Sequence, residues 1–229
     1  GVGSTLTNIF SKEFIIETCD GTKHFVQTFK NNMSERTKPK ITNKKTSFTK
    51  ITYLTDFARF GLSGINKNDY LMITRRLIDI AACNPTLKIF LNDKPIAFGT
   101  FKDYASRYVT PVFYDQSEHW KIGIGHSTTG FKAISFVNSV ETKDGGTHVN
   151  NIDWQITSYL RDKIKRKYRV EVKPSELRQH LYLFINCTVI NPSFSSQTKE
   201  KLITPPKDFG TSHILSEKVL NQILNSEII

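Results

Sequence analysis

The sequence of 229 residues has little that would point to a disulfide scaffold, a metal centre or a membrane. Its three cysteines, Cys19, Cys83 and Cys187, are far apart, odd in number and form no CxxC pair. This argues against a disulfide framework and a zinc site, and it predicts three free thiols in a reducing compartment. The six histidines show no metal-ligand spacing. No apolar run approaches about 18 residues and no basic-plus-apolar leader opens the chain, so neither a membrane span nor a secretion signal is expected and a soluble, cytoplasmic protein is. Acidic residues are also scarce, 21 against 32 basic, for a net charge of +11. That excess predicts a polyanionic partner, and nucleic acid, an anionic membrane and a nucleotide all fit it. No internal repeat or low-complexity segment is present. With 38 % hydrophobic residues, two modest domains with their own cores are expected.

Along the chain, Ser4 to Phe10 reads as a short helix. The β-rich runs Phe14–Thr18 and His24–Phe29 flank Asp20-Gly21, a hairpin signal. Residues 31–45 are polar, basic and aperiodic, which predicts a solvated loop, and Phe48–Leu54 returns as a strand. Tyr70, Ile73, Leu77, Ile80 and Ala81 recur at helical spacing up to Asn84-Pro85. A second hairpin is predicted around Asn92-Asp93 and a short helix over Phe101–Tyr108, with a domain boundary near 111. Beyond it the sequence predicts strands Trp120–Gly125, Ile134–Val140 and Leu181–Val189, a long helix over Val149–Tyr168 and a last helix from about Ser216. That is an α/β pattern with a mixed sheet. Gly123-Ile124-Gly125, inside a strand, predicts close packing.

Two segments carry chemistry. Gly1 and Gly3, in Gly1-Val2-Gly3-Ser4-Thr5-Leu6, let backbone N–H groups approach phosphate oxygens, and the helix that follows aims its free amides at the same place. The segment is not a dinucleotide fingerprint, because Leu6 stands where the third glycine belongs, nor a Walker A loop, because no Gly-Lys-Ser/Thr follows. Near the other end lies Ser195-Ser196-Gln197-Thr198-Lys199-Glu200. In an extended segment Gln197 and Lys199, at i and i+2, would offer an amide and an ammonium to one anion. The long helix ends in a run in which six of nine residues, Arg161 to Arg169, are basic. This is either favourable charge at a helix C-terminus or a surface for a phosphate backbone that includes Lys163, Lys165, Arg166 and Lys167. In Gly145-Gly146-Thr147-His148 the glycines permit a sharp turn, Thr147 is placed to cap the helix, and His148 reads as a packing residue.

Taken in order, Gly1 to Ser11, Phe48 to Tyr53, Ile134 to Val149 and the Gln197-Thr198-Lys199 loop resemble the type IIA DNA topoisomerases of the GHKL ATPase superfamily. The resemblance covers essentially the whole chain. It is greatest to the large subunit of tailed-phage topoisomerase II, with the eukaryotic enzymes next. It implies the carboxyl-terminal part of a GHKL (Bergerat) α/β sandwich over residues 1–110 and a ribosomal-S5-domain-2-like transducer over 111–229. It further implies that Gly1, Val2, Gly3, Ser4, Thr5 and Leu6 form the phosphate lid, that Thr49 closes the adenine pocket, and that Gln197 and Lys199 sense the γ-phosphate. Thr5 departs from the lysine usual in eukaryotic relatives, which leaves backbone amides as its expected contact.

The function so implied is an ATP-binding and hydrolysing clamp that dimerises and captures a DNA duplex, working with domains or subunits that carry the DNA-cleaving tyrosine. Mg2+ would be held, and water activated, by residues of the missing amino-terminal half, so the chain reads as a fragment. A phage enzyme would act in the host cytoplasm and a eukaryotic one in the nucleus. Rival readings are a mismatch-repair or chaperone GHKL ATPase and a non-enzymatic basic nucleic-acid-binding module.

Overall fold

A computed structural model describes residues 1–226 and Ile228; Glu227 and Ile229, the last residue of the expected second domain, lie outside the described residues. The chain divides into two compact units, Gly1–Tyr70 and Leu71–Ile229.

The first unit opens with helix α1 (Val2–Ile9) and strands β1 (Ser11–Asp20) and β2 (Lys23–Lys30). The two strands pair antiparallel as the Asp-Gly signal predicts. Gly21 takes φ +97°, and one Asp20 carboxylate oxygen accepts from the Thr22 and Lys23 amides and the Thr22 hydroxyl, each at 2.8 Å. These bonds, the Lys23 amide foremost, hold the Asp20 carboxyl down at about 2. The segment expected as a loop instead forms β3 (Glu35–Arg36) and β4 (Lys40–Asn43), both antiparallel to β2. These strands are exposed on both faces, so no apolar alternation marked them in the sequence. Strand β5 (Ser47–Thr55) pairs with β1 and forms the other end of the order β3-β2-β1-β5. It is exposed along most of its length, with Ile51, Tyr53 and Leu54 about half in solvent.

Helix α2 (Lys67–Cys83) leads into the second unit. There follow the hairpin of β6 (Ile89–Leu91) and β7 (Lys94–Ile96), α3 (Phe101–Ala105), β8 (Phe113–Gln116), β9 (Trp120–His126), β10 (Lys132–Val137) and β11 (Val140–Glu141). Helices α4 (Thr147–Tyr168) and α5 (Pro174–Arg178), strand β12 (Leu181–Cys187) and α6 (Glu217–Leu224) complete it. The sheet order is β11-β10-β12-β9-β8, with only β10 and β12 parallel, so α4 lies in the crossover between them. The single strand expected over Ile134–Val140 is broken by Asn138 and Ser139, at φ +51° and +63°, into β10 and β11.

Both faces of this sheet are buried. Alternate residues of β12, Leu181, Leu183, Ile185 and Cys187, join Trp120, Ile122 and Ile124 against Ile152, Ile156, Leu160 and Ile164 of α4 and Leu220 and Ile223 of α6. On the other face Phe136 and Phe184 meet Ala82 and Cys83 of α2 and Phe101, Tyr104 and Ala105 of α3. Ala82, Cys83, Phe101, Tyr104 and Ala105 thus share a core with the sheet of the second unit, and the division by compactness falls after Tyr70. A Cβ on Gly123 would press on Ala105, Val112 and Phe184, and one on Gly125 would overlap Val109, so the glycines of β9 do serve close packing. In the same layer the Tyr104 hydroxyl donates to buried Asp79 at 2.8 Å, and burial raises the Asp79 carboxyl. Arg75 reaches Glu141 at 3.1 Å and Arg76 donates to the Ser139 carbonyl at 2.7 Å, which fastens α2 to the β10–β11 turn.

Candidate nucleotide-binding and DNA-contact sites

Gly1 is the N-cap of α1 and supplies no side-chain cap, so the first amides of the helix stay free for an anion. The Ser4 and Thr5 hydroxyls donate back to the Gly1 carbonyl at 3.0 and 3.3 Å, and Thr7 donates to Gly3 at 2.9 Å, which turns these groups along the helix. A Cβ at Gly1 or Gly3 would meet nothing within 4 Å. Residues Gly1 to Leu6 are exposed, and the arrangement fits a phosphate group. Thr49, an exposed residue of β5, lies opposite Thr18 of β1 with the two hydroxyls 3.0 Å apart.

Gln197 and Lys199 belong to the second unit. Their segment is not extended: the Lys199 amide donates to the Ser196 carbonyl at 3.1 Å and Lys199 sits at φ +61°, so the two side chains leave a tight turn, and the i, i+2 alternation expected of a strand does not apply. Both are exposed. The Lys199 ammonium lies 6.0 Å from the centre of the Phe194 ring, and Ser196 and Thr198 share a 2.7 Å hydroxyl contact.

The base of this loop rests on the Gly145-Gly146 turn. Leu202 bridges Phe194 antiparallel on one side and Gly146 parallel on the other. The two motifs, far apart in sequence, are therefore one structure, a juxtaposition that sequence reasoning missed. The strand-like Leu202-Ile203-Thr204 after the loop was the one signal of it. Thr147 is not the cap: Gly146 is, at φ +134°, and the Thr147 hydroxyl donates to the Thr204 carbonyl at 2.6 Å. His148 is fully buried with its Nε2 3.2 Å from the Thr142 hydroxyl, and burial alone depresses it to about 3, as a packing histidine requires.

On the last turns of α4, Lys165 pairs with Glu171 at 2.6 Å, whereas the Lys163 and Lys167 ammoniums lie over Tyr159 and Tyr168 at 5.1 and 4.9 Å. Arg166 is exposed and has no acidic partner among the described residues. Cys19, Cys83 and Cys187 are buried free thiols, and burial pushes Cys83 up to about 12. Among the described residues no group of three or more His, Cys, Asp or Glu could hold a metal ion. No helix among them is long and apolar enough to cross a membrane.

The family model for DNA gyrase B matches residues 97–228. The chain belongs to the DNA gyrase B family. Within that family it is similar to the mitochondrial DNA topoisomerase 2 of Dictyostelium discoideum, 41 % identical over all of this chain and 20 % of the relative, and to the DNA topoisomerase 2 of Acanthamoeba polyphaga mimivirus, 36 % identical over all of this chain and 19 % of the relative. The chain thus spans about a fifth of the length of these curated relatives. Its fold matches the ATPase region of Saccharomyces cerevisiae topoisomerase II with TM-score 0.91 at 36 % identity, over 99 % of this chain and 61 % of that one. It also matches the ATPase and transducer domains of Balamuthia mandrillaris topoisomerase II with TM-score 0.92 at 38 % identity, over 97 % and 60 % of the two chains. Membership in the DNA gyrase B family decides against the mismatch-repair and chaperone readings. The expected precedence of phage relatives over eukaryotic ones is not borne on by these matches.

Proposed function

We propose that the chain is part of the ATP-operated clamp of a type IIA DNA topoisomerase, in which nucleotide binding dimerises the module around a DNA duplex and hydrolysis releases it. The observation that carries this reading is the match of 99 % of the chain to the ATPase region of a topoisomerase II at 36 % identity. In this reading residues 1–110 serve the nucleotide and 111–229 the transducer. The backbone amides of Gly1, Val2, Gly3, Ser4, Thr5 and Leu6 hold the phosphates, and Thr49 lines the adenine pocket. Lys199, with Gln197 beside it, contacts the γ-phosphate. One charge-assisted hydrogen bond there, about 1.5–3 kcal/mol, biases a two-state closure by population shift. Magnesium would neutralise phosphate charge from ligands outside this chain. Duplex DNA, a second copy and the subunits or domains that cleave DNA are the proposed partners. The compartment is a reducing one, in keeping with three unpaired thiols: the host cytoplasm for a phage enzyme, the nucleus for a eukaryotic one.

Lys199→Met in the full-length enzyme tests the reading, because it keeps length and removes charge. ATP turnover should fall by about one to three orders of magnitude, the scale of losing one preorganised donor, with ATP affinity within a few fold. A non-hydrolysable analogue should then trap circular DNA poorly, and Gln197→Ala should show the same pattern more mildly. Near-normal turnover and trapping in Lys199→Met would remove this loop from the nucleotide site. DNA binding indifferent to ATP in the full-length protein would favour the non-enzymatic module.

A further inference from the structure

The tip of the Gln197-Lys199 loop contributes almost nothing to its own placement. Gln197, Thr198 and Lys199 are exposed, and apart from the distant Phe194 ring Lys199 has only the main-chain bond of its own turn. What places the loop is main chain at its base. The Leu202 amide donates to the Gly145 carbonyl at 3.1 Å, the Thr147 amide donates to the Leu202 carbonyl at 3.1 Å, and the Asp144 amide donates to the Glu200 carbonyl at 2.9 Å. On the opposite edge the Ser195 amide donates to Lys201 at 3.0 Å and the Ile203 amide to Ser193 at 2.9 Å, so Leu202, fully buried, is the middle strand of a three-stranded clasp. The Thr147 hydroxyl closes the return at the Thr204 carbonyl, and the Ser193 amide donates to the Thr204 hydroxyl at 2.8 Å.

This clasp has one position that only glycine can fill. Gly146 stands at φ +134°, which L side chains rarely adopt, and a Cβ there would lie 2.6 Å from the Leu202 nitrogen and 2.9 Å from its Cα, nearer still to its carbonyl oxygen. Those neighbours are backbone, so no rotamer change relieves them; the Leu202 strand itself must move. The floor beneath is rigid, since the Thr142 hydroxyl lies 2.6 Å from that of Ser135 and 3.2 Å from buried His148. Displacement is therefore directed outward, into the segment that carries Lys199 three residues upstream of Leu202.

We propose that Gly146 is a positioning residue for Lys199: the close approach of its Cα to Leu202 sets where the loop stands, and so whether the ammonium reaches its phosphate. The inference rests on the reading that Lys199 contacts the γ-phosphate. In the full-length enzyme Gly146→Ala should lower kcat about ten- to a hundredfold, the scale of a misplacement of about 1 Å, with KM for ATP little changed. The double variant Gly146→Ala/Lys199→Met should lose far less than the product of the two single losses, because the first change acts through the loop that carries Lys199. A second readout needs no nucleotide: trypsin should cut after Lys199 and Lys201 severalfold faster in Gly146→Ala than in the unaltered protein. If Gly146→Ala does not fold, Thr147→Val, which removes only the hydroxyl bond to Thr204, should give a smaller loss with the same non-additivity and faster cleavage. Unchanged cleavage in the folded variant, or losses that multiply in the double variant, overturn the inference while the reading beneath it stands. A Lys199→Met enzyme of normal turnover overturns that reading instead, whatever trypsin shows.

Discussion

Single residues separate the ligand-facing groups from the packed ones. Gly3 has open space where a side chain would go, so Gly3→Ala tests the approach of a ligand and not the fold. Nucleotide affinity in the intact enzyme should drop while the thermal midpoint does not fall, and an unchanged titration would take Gly3 out of the site. His148 is the opposite case. Its folded pKa, about 3, lies below the ordinary value of 6.5, so the unfolded chain binds the proton first as pH falls. Stability is unaffected by this group above about 6.5 and declines between about 6.5 and about 3, by on the order of 5 kcal/mol. Urea midpoints across that window should fall more steeply for the unaltered protein than for His148→Gln, and equal slopes would show that another group dominates acid sensitivity.

Elements differ in how plainly the sequence announces them. Helix α4 is legible because Ile152, Ile156, Leu160 and Ile164 repeat along one buried face, and β1 and β2 because Asp20-Gly21 encodes its own turn. Strands β3 and β4 are not, since neither of their faces is buried, nor is β8, four residues without alternation. The phosphate-fitting segment at α1 could be read from its glycines, whereas the seat of Gln197 and Lys199 could not: Gly146 and Leu202 meet through tertiary structure that no local pattern encodes. The same structure grades the basic end of α4. Lys165 is partly spent on Glu171, so it should matter less to a phosphate backbone than Arg166 or Lys167. Neutralising Lys163, Lys165, Arg166 and Lys167 together should lower DNA-stimulated ATPase activity and reduce the salt slope of DNA binding by roughly one unit for each phosphate no longer neutralised. Replacing Lys165 alone should change the slope least, and an unaltered slope in the fourfold variant would return the helix end to a solvated face.

At the scale of the molecule, the two units are unequally provided with interior. The two hydrophobic clusters found among the described residues both belong to the second unit, on the two faces of its sheet. In the first unit Phe14 and Cys19 are the buried apolar side chains, while Phe60, Leu62 and Ile65 are exposed. Burial scales with the stability of a small domain. Calorimetry on this chain should therefore resolve two transitions, the earlier one from Gly1–Tyr70, and Ile156→Ala in α4 should lower only the later one, at a cost of about 2–5 kcal/mol. A single transition shifted as a whole by Ile156→Ala would mean that the units unfold together.

The open side of β5 has a colloidal consequence. Nine residues of strand, with Ile51, Tyr53 and Leu54 in solvent, present unpaired main-chain groups to any similar edge, and Lys50 is the one charge along them. What keeps such molecules apart in dilute buffer is their shared net charge of +11. Added salt shortens the reach of that repulsion to about 10 Å at 0.1 M and leaves edge pairing almost untouched. This chain should thus stay dispersed at low ionic strength and grow strand-to-strand aggregates as salt is raised.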